Sequence, residues 1–271
     1  MPLFTLEDIQ NKTSIFNGRF GHHLGDIVMK WLNMDKINDL YDRYSTLEGP
    51  DFASAILKDI GITYKIIHQE RLDTLPQGPF IVISNHPYGS LDGVMLVDIF
   101  GHMRSDFKLM VNGFLSRIRT LDNNFITVTP TGNIRSAPTK ESMKGIREAM
   151  EHVRDGGPIG IFPSGAVSDL SLRERCIRDR EWQEPVIRLI QRMRAPILPL
   201  RFLDGNSPFY YSLGLIDWRI RLLRLPSEVF NKRGDSTRIM IGKMIPVSLQ
   251  DEITDIKEFS NYLRDSVYKI K

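Results

Sequence analysis

Apolar positions along the chain change rhythm near residue 60. Before it, Phe20, Leu24, Ile27, Val28, Trp31 and Leu32 recur at helical spacing, while His22, His23, Asp26 and Lys30 fall on other faces. Further helices are expected over 36–44 and, after Pro50, over 51–60. From Ile62 onward, short apolar runs alternate with amphipathic stretches, as in a sheet with crossover helices. Runs rich in Ile, Val and Phe predict strands at 63–67, 80–84, 107–111, 125–129, 159–162, 197–202 and 238–242. Helices are expected at 91–100, 113–121, 140–154, 185–193 and 256–267. The third-last of these ends at Arg154, and the next opens with Pro185 at a first helical position. The pattern predicts an α/β fold with a mixed, mostly parallel sheet and flanking helices. It divides into a helical N-terminal region, residues 1–60, and an α/β body, residues 61–271. No internal repeat interrupts it.

Composition adds limits. With 41% hydrophobic residues in 271, a core of useful size forms without covalent staples. The single cysteine, Cys176, excludes an intrachain disulfide. It sits among Arg173, Arg175 and Arg178, but it reads as a free thiol in a reducing compartment rather than a nucleophile. No Cys/His cluster has metal-ligand spacing, so no metal is expected. The start, MPLFTLEDIQ, lacks a signal pattern, and no apolar run approaches the ~18–20 residues that cross a bilayer. A cytoplasmic protein is expected. Its net charge of +3 does not choose between nucleic acid and anionic lipid. The arginines are spread and no recognition motif accompanies them, so nucleic acid is not an expected partner.

The segment from Pro79 to Gly93, PFIVISNHPYGSLDG, concentrates the chemistry. An apolar strand ends at Ser84, Asn85 and His86 follow, and a turn with Pro87 and Gly89 leads into a helix near Leu91. Open α/β sheets place sites at the carboxyl ends of strands. Ser90 is expected to cap the helix, which puts Asp92 in the first turn, where the dipole favours a carboxylate. An ionised Asp92 beside His86 would fix the imidazole tautomer and stabilise the imidazolium. Backbone N–H groups of the turn are candidates for holding an oxyanion. The bland alternative is a strand-end histidine with a helix-dipole aspartate.

The string Asn85-His86…Asp92-Gly93 resembles the first motif of the glycerolipid, lysophosphatidate-type acyltransferase superfamily, in the style of its bacterial hemolysin-like branch. Five residues separate His86 and Asp92, against the usual four, with the extra one in the Pro87–Ser90 turn. The stretch from Phe125 to Arg135 occupies the place of the second motif, and Phe162-Pro163-Ser164-Gly165-Ala166-Val167-Ser168 that of the third. Ala195 to Leu200 resembles the fourth. The resemblance implies catalysis by a His86/Asp92 dyad. It implies substrate contacts from Asn85, Gly89, Ser90, Arg135, Pro163, Ser164, Gly165 and Arg201. Ser164 and Val167 stand where the family carries Glu and Arg. Both family residues help bind glycerol phosphate, so their loss points to a lyso-lipid with another head group, such as an acylated amino acid.

The expected reaction is direct acyl transfer from acyl-carrier protein or acyl-CoA to a lyso-lipid hydroxyl. The thioester is a co-substrate, and no cofactor is needed. Three rivals stand: a serine hydrolase using Ser164, an N-acyltransferase acting on an amino acid, and a non-enzymatic lipid-binding scaffold. The nucleophile-elbow pattern Gly-x-Ser-x-Gly fails at Phe162 and Ala166, which weakens the first. An embedded substrate calls for attachment to the inner face of the cytoplasmic membrane. Two stretches offer it: the helix from Phe20 to Leu32, and the run from Trp218 to Leu225 with Arg219, Arg221 and Arg224, followed by Lys232 and Arg233.

Overall fold

The computed structural model describes Leu3 and residues 29–113, 115–128 and 140–271, the side chain of Glu141 excepted. The amphipathic stretch at 20–32 therefore lies mostly outside the described residues, as do Thr129 and Arg135.

Helices α1 (Met34–Tyr44) and α2 (Gly49–Ile60) precede strand β1 (Thr63–Ile67). Then come β2 (Ile81–Ser84), α3 (Ser90–Met103), β3 (Lys108–Asn112), β4 (Phe125–Val128), α4 (Lys140–Arg154) and β5 (Ile159–Ile161). A short hairpin, β6 (Asp169–Ser171) with β7 (Cys176–Arg178), leads to α5 (Glu184–Met193) and β8 (Ile197–Phe202). Three short helices follow: α6 (Pro208–Ile216), α7 (Trp218–Leu223) and α8 (Leu225–Asn231). Strand β9 (Ser236–Ile241), α9 (Val247–Glu252) and α10 (Ile256–Tyr268) complete the chain.

Seven strands form one sheet in the order β1-β9-β8-β2-β5-β3-β4. All pairs are parallel except β8–β9. This is the mixed, mostly parallel α/β arrangement that the apolar pattern predicts. Side chains alternate across a strand, so each strand feeds both faces. Phe80 and Val82 enter a core with Phe52, Leu57, Leu96 and Phe100 of the α2 and α3 side. Ile81 and Ile83 enter the opposite core with Ile187, Ile190, Phe259 and Leu263 of α5 and α10. All four residues of β2 are buried, as a central parallel strand requires. Its register sets Ser84, the last residue of β2, opposite Leu200, two residues before the end of β8.

No α-helix forms among the described residues of the stretch 113–121, where one is expected. Two 3₁₀ turns, Leu115–Arg117 and Arg119–Asn124, occupy that stretch. Leu115, Ile118 and Leu121 recur every three residues, which suits a threefold period as well as an α-helix. The Asn112 side chain takes the Leu115 N–H, and the Ser116 hydroxyl donates to the Gly113 carbonyl, so local bonds compete with helix propagation.

Candidate active site

His86 follows β2 by two residues. The residue between, Asn85, is buried, and its side chain donates to the Phe202 carbonyl at 2.9 Å and accepts from the Phe202 N–H at 2.8 Å. That reciprocal pair clamps the end of β2 to the end of β8. Asn85 thus serves the frame in the unliganded protein.

The chain then turns back on itself. Gly89 has φ +85°, and a Cβ there would lie 3.0 Å from Leu225 and 3.1 Å from Val167. Helix α3 begins at Ser90 with Gly89 in the cap position, which corrects the expectation that Ser90 itself caps. The capping acceptor is Asp92, from within the first turn. Its carboxylate takes the Gly89 N–H at 2.8 Å and the Tyr88 N–H at 3.0 Å. Those two turn amides are engaged by Asp92.

The same carboxylate faces the histidine. His86 Nδ1 lies 2.8 Å from Asp92 Oδ2, with Asp92 fully buried and His86 still 16% open. The two atoms touch without the alignment of a hydrogen bond. Burial pushes the Asp92 carboxyl above the usual carboxylate range, opposed by His86 and the two amides. The imidazole stacks on Phe162, centroids 4.1 Å apart at 28°, which limits its rotation.

Sequence reading missed a second buried acid. Asp179 accepts the His86 N–H at 3.1 Å, the Ser168 hydroxyl at 2.6 Å and the Trp182 indole at 3.1 Å. Ser168 in turn donates its N–H to the His86 carbonyl at 2.9 Å. Burial raises the Asp179 carboxyl as well. Its signal was hidden because it lies in a charge-rich run that reads as solvated surface. Tyr211 is another missed support: its hydroxyl donates to the Pro87 carbonyl at 2.7 Å.

Pro163, Ser164 and Gly165 form the turn after β5. The Pro163 carbonyl accepts from Gln183, and Gly165 has φ +63° with Gln183 where a Cβ would go. Ser164 is buried and donates its hydroxyl to the Ala166 carbonyl at 2.7 Å. A hydroxyl so committed is not poised on His86 as a nucleophile. Arg201 donates to the Tyr268 carbonyl at 2.5 Å and lies over that ring. Its link to His86 is indirect, through Tyr268 and Asp179. A polar cleft lined by Tyr88, Asp204, Lys232, Asp235 and Thr237 adjoins the turn. Among the described residues, no cluster of His, Cys, Asp and Glu suits a metal ion.

An imidazole thus lies beside a buried carboxylate at the end of a central strand. Residues 16–271 match the acyltransferase family, and the chain belongs to it. Two curated relatives are both lyso-glycine lipid O-acyltransferases. The chain is 28% identical to that of Bacteroides thetaiotaomicron, over 90% of this chain and 88% of the other. It is 26% identical to that of Phocaeicola vulgatus, over 98% and 95%. Among solved structures, the 1-acyl-sn-glycerophosphate acyltransferase PlsC of Thermotoga maritima aligns over 81% of this chain and 79% of its own, with 13% identity and a TM-score of 0.48. The protein is an acyltransferase.

Proposed function

We propose that this acyltransferase moves a fatty acyl group from acyl-carrier protein or acyl-CoA to the hydroxyl of a lyso-lipid, working at a membrane surface. The observation that carries this reading is the His86–Asp92 pair, 2.8 Å apart, with the carboxylate buried and held by two backbone amides. Because Nδ1 faces Asp92, Nε2 is the nitrogen left for the substrate.

The steps balance without a further group. His86 Nε2 takes the proton of the acceptor hydroxyl as its oxygen attacks the thioester carbonyl. The ester C–O bond forms, the C–S bond breaks, and the departing thiolate takes the proton back from the imidazolium. Asp92 stabilises that imidazolium. General-base help of this kind supplies ~10²–10⁴-fold, and orientation of the two substrates supplies much of the rest. The names of the two curated relatives favour an O-acylated amino-acid lipid as product. Ser164 and Val167, in place of the resembled family's Glu and Arg, favour an acceptor other than lysophosphatidate.

The test is to incubate purified protein with acyl-carrier-protein thioester or acyl-CoA and a lyso-glycine lipid, then weigh the product. A mass increase of one acyl group on the hydroxyl is expected. Release of free fatty acid without acceptor acylation would replace transfer by hydrolysis.

A further inference from the structure

We propose that the α6–α7 hairpin, joined by Trp31, is the surface that docks this protein on an anionic lipid bilayer, and that it sets the His86 turn against that bilayer. This rests on the reading of the acceptor as a lyso-lipid.

The observation is an inside-out helix. In α7 the buried residue is a charged one, Arg221, only 3% exposed, while Trp218, Ile220, Leu222 and Leu223 face outward. Soluble proteins arrange helices the other way, because exposed apolar area costs free energy in water. The neighbouring helix repeats the theme, with Phe209, Leu215 and Ile216 exposed, Ile216 at 77%. Seven of the thirteen exposed large hydrophobic residues among the described residues fall between 209 and 223. Trp31, 64% exposed, joins them through Arg224, whose guanidinium lies over both Trp31 and Phe209. A contiguous patch of this kind marks an interaction surface.

Charge complementarity selects the occupant. Arg219 lies over Trp218 and Arg224 over Trp31 and Phe209, and the exposed Lys30 precedes Trp31 in the chain. The nearby Asp169 is neutralised by Arg180 and Arg221, and Asp217 is committed to capping α7. Aromatic rings with basic heads suit the headgroup level of a membrane, and basic residues near an anionic leaflet strengthen the attachment. Among the described residues no helix is long and apolar enough to cross a bilayer. The structure also corrects the expectation that Arg221 is one of the surface arginines; it is an internal anchor.

That anchor joins the surface to the chemistry. Arg221 donates to the Ser168 carbonyl at 3.2 Å, and Ser168 donates its N–H to the His86 carbonyl. From α6, Tyr211 holds the Pro87 carbonyl. Just after α7, Leu225 packs against Gly89. The hairpin thus reaches the turn carrying His86 and Asp92 directly through Tyr211 and by way of Ser168 through Arg221, and Leu225 at the start of α8 adds a third contact.

The experiment compares wild type, His86→Ala and the triple variant Ile216→Ser, Trp218→Ser, Ile220→Ser, all at exposed positions that leave the core alone. Each is sedimented with phosphatidylglycerol vesicles and with phosphatidylcholine vesicles. Wild type and His86→Ala are expected to bind the anionic vesicles equally, and the triple variant at least tenfold less. The triple variant should also acylate a short-chain acceptor dispersed in water at the wild-type rate while failing on acceptor embedded in vesicles. Vesicle binding by the triple variant equal to wild type would overturn the proposal. So would the absence of binding by wild type, including the case where sizing shows a dimer that the triple variant splits, since a second copy would then occupy the patch. Vesicle binding needs no turnover, so normal binding with no transfer to any acceptor would refute the enzymatic reading alone.

Discussion

Asp92 carries two loads at once, and they can be separated. Its carboxylate satisfies the amides of Tyr88 and Gly89, which builds the turn, and it faces His86, the proposed general base. Asp92→Asn keeps an acceptor oxygen for the turn but removes the charge that stabilises imidazolium. A drop in kcat of ~10²–10⁴-fold is expected with a native-like circular dichroism spectrum. Stability should move the opposite way with pH. Burial holds the folded Asp92 pKa above its unfolded value, so the folded state binds more protons in the window between them. Stability from this group is full below the ordinary carboxylate value, ~4, and declines as pH rises through the folded value. The melting temperature of Asp92→Asn relative to wild type should therefore climb as pH is raised across that window. A constant difference from pH 4 to 8 would show that the folded pKa is not raised. Ser164 gives a contrasting expectation. Its hydroxyl is bonded to the Ala166 carbonyl, so Ser164→Ala should keep the rate within about tenfold, in line with the loss of one supporting hydrogen bond. Mass spectrometry of the wild type under turnover should show no acyl-serine adduct; one would restore the hydrolase reading.

At the scale of elements, the β2–turn–α3 unit was legible because its parts are adjacent in sequence. An apolar strand, a turn-forming Pro87 and Gly89, and a helix with an acid in its first turn each carry a local signature. The supports of that unit come from far away, and no local rule marks them. Asp179 looks like one charge among arginines until the β6–β7 hairpin delivers it to the His86 amide. Arg221 looks like a surface cation in a basic-apolar run until α7 turns it inward. The register of the 113–121 segment failed for a different reason, since spacing by three does not distinguish helix types. Three-residue strands such as β6 and β7 have too few apolar positions to announce themselves. Gly89 tests whether the turn's shape matters. Gly89→Ala meets both a positive φ and close contacts with Leu225 and Val167. It should cost ~1–2 kcal/mol from the left-handed backbone alone. Denaturant unfolding measures that, and kcat should fall further than KM rises, because His86 and Asp92 move apart. Unchanged stability and kcat would mean that the turn relaxes freely.

For the whole molecule, the proposed specificity rests on what surrounds the pair. Val167 has no cation and Ser164 no carboxylate to offer a glycerol phosphate, and both side chains are buried. Competing lysophosphatidate with a lyso-glycine lipid in one tube should favour the latter. A clear preference for lysophosphatidate would require a phosphate contact from elsewhere, with Arg201 and Arg135 the first to change.

The most direct measurement is a single-turnover assay in which excess enzyme meets radiolabelled acyl-carrier-protein thioester and a hydroxyl-bearing lyso-lipid, with wild type and His86→Ala run side by side. Wild type should form the labelled ester in one exponential phase, and His86→Ala should form it at least a hundredfold more slowly while binding both substrates as tightly. Ester formation by His86→Ala at more than about a tenth of the wild-type rate would contradict the general-base role.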